Sequence, residues 1–197
     1  MFEDDRYQVI RNAISYDLAN FIFNYLLLRR DAVEYMYKNN YTLENVHYGT
    51  WKDKQVPNVY SEYSDMVMET LMMKVLPIMK EKTGLALIPT YSYTRVYENG
   101  SVLKKHKDRP SCEISSTVNL GGDIWPIFVS GVQVDLTPGD MLIYSGCDLE
   151  HWRDKFEGNL CGQTFLHYNN IDGEHRDHNV FDNRPLLGLP AYYKNKS

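Results

Sequence analysis

Tyr91-Ser92-Tyr93-Thr94-Arg95-Val96-Tyr97-Glu98-Asn99-Gly100 alternates large side chains with small or polar ones and then stops on a turn signal. On an extended chain alternate residues share a face, so Tyr91, Tyr93, Arg95 and Tyr97 point the same way. The texture persists from Gly84 onward: β-branched and aromatic residues alternate with polar ones between turns such as Gly121-Gly122-Asp123 and Thr137-Pro138-Gly139-Asp140. Strands are expected at Leu85 to Ile88, Tyr91 to Tyr97, Val102 to His106, Ile114 to Leu120, Ile127 to Val129, Val132 to Leu136, Met141 to Ser145 and Cys161 to Tyr168. Antiparallel strands in this number predict a double-sheet jelly roll.

Upstream, the period changes to that of helices. Tyr7 to Ile14 reads as a short strand; Ser15 is an N-cap, with Asp17 in the first turn; and Leu18, Phe21, Ile22, Tyr25, Leu26, Ala32, Val33 and Met36 recur on one face up to about Asn39. A polar stretch from Asn40 to Tyr60 follows. A second helix is expected from near Ser61, kinked by Pro77 and ended by Gly84. The fold class is therefore α+β, mainly β: a cupin-like double-stranded β-helix with N-terminal support helices. One domain, 1–197, divides into a helical support region at 1–84, a jelly-roll core at 85–170 and an irregular tail at 171–197 that wraps the barrel or acts as a lid.

With 43% hydrophobic residues the chain of 197 residues can bury a sizeable core, which excludes a disordered or disulfide-dependent one. Its net charge of −5 disfavours non-specific nucleic-acid binding. The acidic start and the interruption of the best apolar run by Asn24 give no export signal and no membrane span. Cys112, Cys147 and Cys161, without CxxC spacing, read as buried thiols of a reduced, cytoplasmic protein.

The sharpest chemical feature is His106-Lys107-Asp108 at the end of an expected strand, where i and i+2 converge. His151 follows the strand Met141 to Ser145 and a short loop. Antiparallel strands between the two can return the chain to the same barrel mouth. Two histidines and a carboxylate on one face of a metal, with open positions opposite, form the facial triad of non-haem Fe(II) oxygenases.

Pro89 to Asn170 resembles the Fe(II)/2-oxoglutarate-dependent dioxygenases, within them the prolyl-4-hydroxylase-like branch. The residues carrying the resemblance are Arg95 to Gly100, Leu103, His106-Lys107-Asp108-Arg109, Pro138-Gly139-Asp140, His151-Trp152-Arg153 and Gln163 to Tyr168. It implies that His106, Asp108 and His151 hold Fe(II) and form the catalytic centre, with 2-oxoglutarate and O2 as co-substrates and ascorbate as a reductant. The implied reaction hydroxylates an unactivated C–H bond, in a prolyl residue of a peptide or in a free amino acid or small metabolite, and releases succinate and CO2. Neither a nucleic-acid nor a membrane partner is expected.

One departure stands out. Where the family places a Lys or Arg for the C5 carboxylate of 2-oxoglutarate, nine to ten residues after the distal histidine, this chain has Leu160 and Cys161. A buried carboxylate needs a charge-assisted partner. The candidates are Arg153 and Arg95, the latter sharing a face with Tyr93, while Thr117 and Asn119 offer donors from the neighbouring strand. The departure also supports a non-catalytic cupin-like binding domain as the alternative; a metal-dependent sugar isomerase, which shows HxH, ranks below both. Elsewhere, His167 reads as a satisfied core histidine, His175 and His178 as a solvated HxxH, His47 and Trp51 as packing or part of a substrate wall, and Asp154 and Glu157 as loop solvation. Lys104, Lys105, Lys107 and Arg109 form a small basic patch suited to an acidic substrate or merely solvated.

Overall fold

A computed structural model describes residues 2–45, 47–175 and 179–194. Its elements run α1 (Phe2–Asp5), β1 (Tyr7–Ile10), α2 (Tyr16–Lys38), β2 (Tyr60–Tyr63), α3 (Met66–Thr83), β3 (Leu87–Glu98), β4 (Leu103–His106), β5 (Ile114–Gly122), β6 (Ile127–Val129), β7 (Val132–Val134), β8 (Met141–Ser145), β9 (His151–Arg153) and β10 (Leu160–Asn170). The strands form two sheets: a six-stranded one ordered β1-β8-β5-β10-β3-β2 and a four-stranded one ordered β4-β9-β6-β7. Neighbours are antiparallel, as a jelly roll requires.

Ser15 caps α2 by accepting from the Leu18 N–H at 3.2 Å, and Ala19, Ile22, Leu26 and Val33 are the face it buries. That face packs on the six-stranded sheet, where Gly121 on β5 and Gly162 on β10 are register partners. A Cβ on either glycine would come within 2.6 Å of the Phe23 ring of α2, so the glycine pair forms the slot that lets helix and sheet approach.

Several boundaries differ from the sequence expectation. The second helix begins at Met66, not near Ser61, because Asp65 caps it, accepting from Val67 and Met68 N–H. Tyr60–Tyr63 is instead an edge strand on β3. The helix continues past Pro77 to Thr83 and stops at Gly84, whose φ of 70° suits a glycine C-cap. The expected strands 85–88 and 91–97 are one strand, β3, which carries Pro89. His151 lies in a short strand, β9, where a loop was expected to end.

The described part of the tail wraps the barrel. The Arg184 guanidinium is buried and donates to Glu69 of α3 at 2.7 Å and to the Thr90 carbonyl at 3.0 Å. Asp182 accepts from Tyr63, Arg109 and Lys194. Phe181, Asp182 and Asn183 all have left-handed φ, a strained run that this network of polar contacts holds in place.

Candidate metal centre and its cavity

His106 ends β4, His151 opens β9, and the two are register partners across the β4–β9 pair, so the ladder itself brings the imidazoles together. Their ring centroids are 4.2 Å apart. Asp108 joins them because its N–H is fixed by the Gly146 carbonyl at 2.9 Å, which turns the chain back after β4. Asp108 Oδ1 then lies 3.7 Å from His106 Nε2 and 3.5 Å from His151 Nε2. The sequence thus located three donors whose ligand atoms converge within 4.8 Å.

Each ring is oriented through its other nitrogen. His106 Nδ1 donates to the Lys104 carbonyl at 2.8 Å and His151 Nδ1 to the Leu149 carbonyl at 3.0 Å, which leaves both Nε2 lone pairs aimed at Asp108. Burial, and then the proximity of His151, lower the His106 pKa and keep its imidazole neutral. Burial pushes the Asp108 carboxyl up, but the neighbouring His151 and the Ser115 hydroxyl outweigh it and hold the carboxyl below its usual range. A neutral His106 imidazole and an ionised Asp108 carboxylate are protonation states that coordinate a divalent metal.

Gly146 makes room for the carboxylate: a Cβ there would sit 2.4 Å from Asp108 Oδ2 and 2.3 Å from the Cys112 carbonyl. Ser115 donates to Asp108 Oδ2 at 2.9 Å and also contacts His167 Nδ1 at 2.9 Å. His167 is buried and hydrogen-bonded, as a satisfied core histidine is, and it has a second place as well. It lines the cavity, its ring against Tyr91, with its pKa pushed down to about 4 by burial. Phe165, two residues earlier on β10, lines the same cavity, as residues i and i+2 of a strand share a face.

The triad opens into a cavity of about 370 Å³ whose walls include Tyr93, Arg95, Tyr144 and Phe165. Asp53 and Gln55 reach it from the long loop before β2, a contribution no periodicity in that polar stretch announces. Arg95 lines the cavity but is already engaged: its Nη2 donates to Asp53 at 2.9 Å and to Gln55 at 2.7 Å, and the Tyr93 hydroxyl also donates to Asp53.

Thr117 and Asn119 do not line this cavity. Thr117 is buried and donates to Gln163 at 3.0 Å, whereas the Asn119 amide donates to the Leu136 carbonyl at 2.6 Å and ties down the turn before β8. Trp51 packs against Tyr37 and Tyr60, and His47 against Tyr192; neither reaches the cavity. His175 pairs with Glu174, while His178 lies outside the described residues.

Arg153 is the unusual group. It is buried to 1% exposure between the sheets, over the Trp125 ring, and its Nη1 donates to the Trp125 carbonyl. Its Nε and Nη2 have no partner, and among the described residues no carboxylate pairs with it. Burial lowers its pKa, against the opposing effect of Cys161, Tyr97 and Tyr144. Of the two positions where the sequence lacks the expected cation, Leu160 packs toward the helices, while Cys161 lies inside the barrel with Tyr97 and Trp125.

No family model and no curated relative matches this chain. Among solved structures, it is similar to a Pseudomonas putida prolyl-4-hydroxylase with a TM-score of 0.63 at 14% identity, over 86% of this chain and 95% of that one. It is also similar to EctD from S. alaskensis with bound Fe (TM-score 0.62, 16% identity, 86% and 74% covered). HygX from Streptomyces hygroscopicus with nickel, 2-oxoglutarate and hygromycin B bound matches with a TM-score of 0.62 at 15% identity, over 87% and 85%. The chain shares the double-stranded β-helix fold of these three structures, the fold that the resemblance implied.

Proposed function

We propose that the protein is an Fe(II)- and 2-oxoglutarate-dependent oxygenase that hydroxylates a C–H bond of a small molecule or peptide. The observation that carries this reading is the convergence of His106, Asp108 and His151, with both imidazoles turned inward by backbone carbonyls. Three protein donors on one side, with space beyond them, fit Fe(II) with exchangeable positions. Bound there, iron with 2-oxoglutarate supplies the oxidising power: O2 is consumed, and succinate and CO2 are released as the hydroxyl is delivered.

The residues present fit the metal, and Arg153, buried in the barrel outside the cavity lining, offers a cation for the co-substrate. A dicarboxylate needs a cation at its far end, and Arg153 is a buried guanidinium with two donor atoms unused. We assign it the C5 carboxylate, in place of the cation missing at Cys161. The Cys161 side chain is small enough to leave this space to the guanidinium coming from β9. Ser115 and Gly146 fix the Asp108 carboxylate, while Phe165, Tyr91 and Tyr144 line the cavity with rings that limit water around the reacting carbon.

Anaerobic titration with Fe(II) and then 2-oxoglutarate tests the reading, with the visible charge-transfer band of the chelated metal as readout and His106→Ala as control. A band in the wild type that is absent in the variant is the expected result. Fe(II) binding without a band would favour the non-catalytic binding domain that Leu160 and Cys161 suggest.

A further inference from the structure

The chain carries a net charge of −5, yet the ground beside the metal centre is basic. A trough of about 510 Å³ adjoins the cavity and shares Gln55 and His106 with it. Its walls are the loop segment 54–58 on one side and residues 100–106 on the other; among the described residues they present Lys54, Lys104 and Lys105 and no carboxylate. Lys54 and Lys104 have no ion-pair partner among the described residues, and Lys105 meets Glu150 at 4.0 Å and lies over the Trp152 ring at 4.2 Å, both on the β9 side.

The outer edge of β4 lines the trough, its Lys104 carbonyl accepting from His106 Nδ1 at 2.8 Å. β4 is the outermost strand of the four-stranded sheet and pairs with β9 alone. An unpaired edge is a template for another extended chain. Lysines on an edge strand also serve to discourage such pairing, which would account for Lys104 and Lys105 by themselves. It does not account for Lys54, which comes from the facing wall and adds a third positive charge to the same space.

We infer that the trough along β4 binds an extended acidic segment of a polypeptide substrate by strand addition, with its carboxylates on Lys54, Lys104 and Lys105 and the residue to be oxidised carried past His106 into the cavity. A nucleic acid shares the negative charge, but it has no edge amides with which to extend a sheet, and the overall acidity of the chain opposes a dense polyanion. The inference rests on the oxygenase reading for the fate of the bound residue, not for the binding itself.

The test uses the full chain and fluorescence anisotropy with a short fluorescein-labelled glutamate-rich peptide, its glutamine counterpart, the glutamate peptide N-methylated at alternate backbone amides, and an oligothymidylate. The glutamate peptide is expected to bind about tenfold tighter than the glutamine one, the difference falling with salt and vanishing in the combined Lys54→Gln, Lys104→Gln, Lys105→Gln variant. N-methylation is expected to abolish binding. Equal affinity for the glutamate and glutamine peptides, undiminished binding after N-methylation, or tighter binding of the oligothymidylate would each overturn the inference. The charge-transfer titration on the triple variant keeps the two readings apart. A normal band without peptide discrimination defeats only the trough, and discrimination without a band in the wild type defeats only the oxygenase.

Discussion

Replacing Arg153 by Met should move stability and ligand binding in opposite directions. In the ligand-free chain two buried donor atoms, Nε and Nη2, go without partners, and orphaned polar atoms cost about 1–3 kcal/mol each, so about 2–6 kcal/mol in all. Against this, Met loses the hydrogen bond to the Trp125 carbonyl and the contact of the guanidinium with the Trp125 ring, worth about 1–1.5 and about 1–2 kcal/mol. The central values leave Arg153→Met more stable by about 1–2 kcal/mol, or a rise in Tm of about 2–8 °C for a domain of this size. In the bound state the balance reverses, because a lost bidentate charge-assisted contact costs about 3 kcal/mol, about 150-fold in 2-oxoglutarate affinity. Differential scanning fluorimetry without ligand, followed by 2-oxoglutarate titration of the Mn(II)-loaded chain by calorimetry, reads both. A variant that melts several degrees lower and still binds 2-oxoglutarate as well as the wild type would refute the assignment.

Asp108→Ala should abolish the charge-transfer band and turnover while the far-ultraviolet circular dichroism stays unchanged; a retained band would remove Asp108 from the metal. Gly146→Ala pushes a methyl against Asp108 Oδ2 and the Cys112 carbonyl, and overpacking of this kind costs about 1–3 kcal/mol. Urea unfolding should show that loss, and Mn(II) affinity should drop with it, since the displaced group is the carboxylate. Asp182 has its pKa pushed down to about 2, because Arg109, Lys194 and Tyr63 outweigh the opposing effect of burial. Its folded pKa lies below the unfolded value, so its contribution is fully present above about pH 4 and is lost as pH falls toward 2; it amounts to about 2 kcal/mol. Asp182→Asn should therefore destabilise at neutral pH and flatten the acid limb of the stability profile, measured by urea unfolding across pH.

The parts of this fold legible in sequence are those fixed by local chemistry. Ser15 and Gly84 marked helix ends because caps act within one turn, and strand faces followed from alternation, which placed Tyr91, Tyr93 and Arg95 on the cavity side. His106 and Asp108 were readable for the same reason. The edge strand Tyr60–Tyr63 was not, since Tyr-Ser-Glu-Tyr takes its extended form from pairing with β3, and buried Glu62 is satisfied there by Arg29 of α2 at 2.7 Å and by the Tyr60 hydroxyl at 2.7 Å. Asp53 and Gln55 escaped because a loop residue is brought to the cavity by tertiary contacts that leave no period. Thr117 and Asn119 were expected on the strand neighbouring that of Arg95, but β10 lies between β5 and β3, and alternation gives a face and not a depth along the barrel.

The two arginines that the sequence offers as alternatives are separated by their partners. Arg95 and Arg153 are both almost wholly buried, so exposure does not choose between them. Their partners do. Arg95 is neutralised by Asp53, and a carboxylate arriving there would have to displace an ion pair that is itself held by the Tyr93 hydroxyl and by Asp53 Oδ1 accepting from the Gln55 N–H at 2.7 Å. Arg153 has no anion to displace, so the same carboxylate gains its full charge there. A dicarboxylate that chelates a metal at one end needs an unsatisfied cation at the other, and the barrel interior keeps one beside Cys161, where the expected basic side chain is missing. The Arg95–Asp53 pair then serves a different purpose: it clamps the loop carrying Asp53 and Gln55 onto β3, and so holds the wall that the cavity shares with the basic trough.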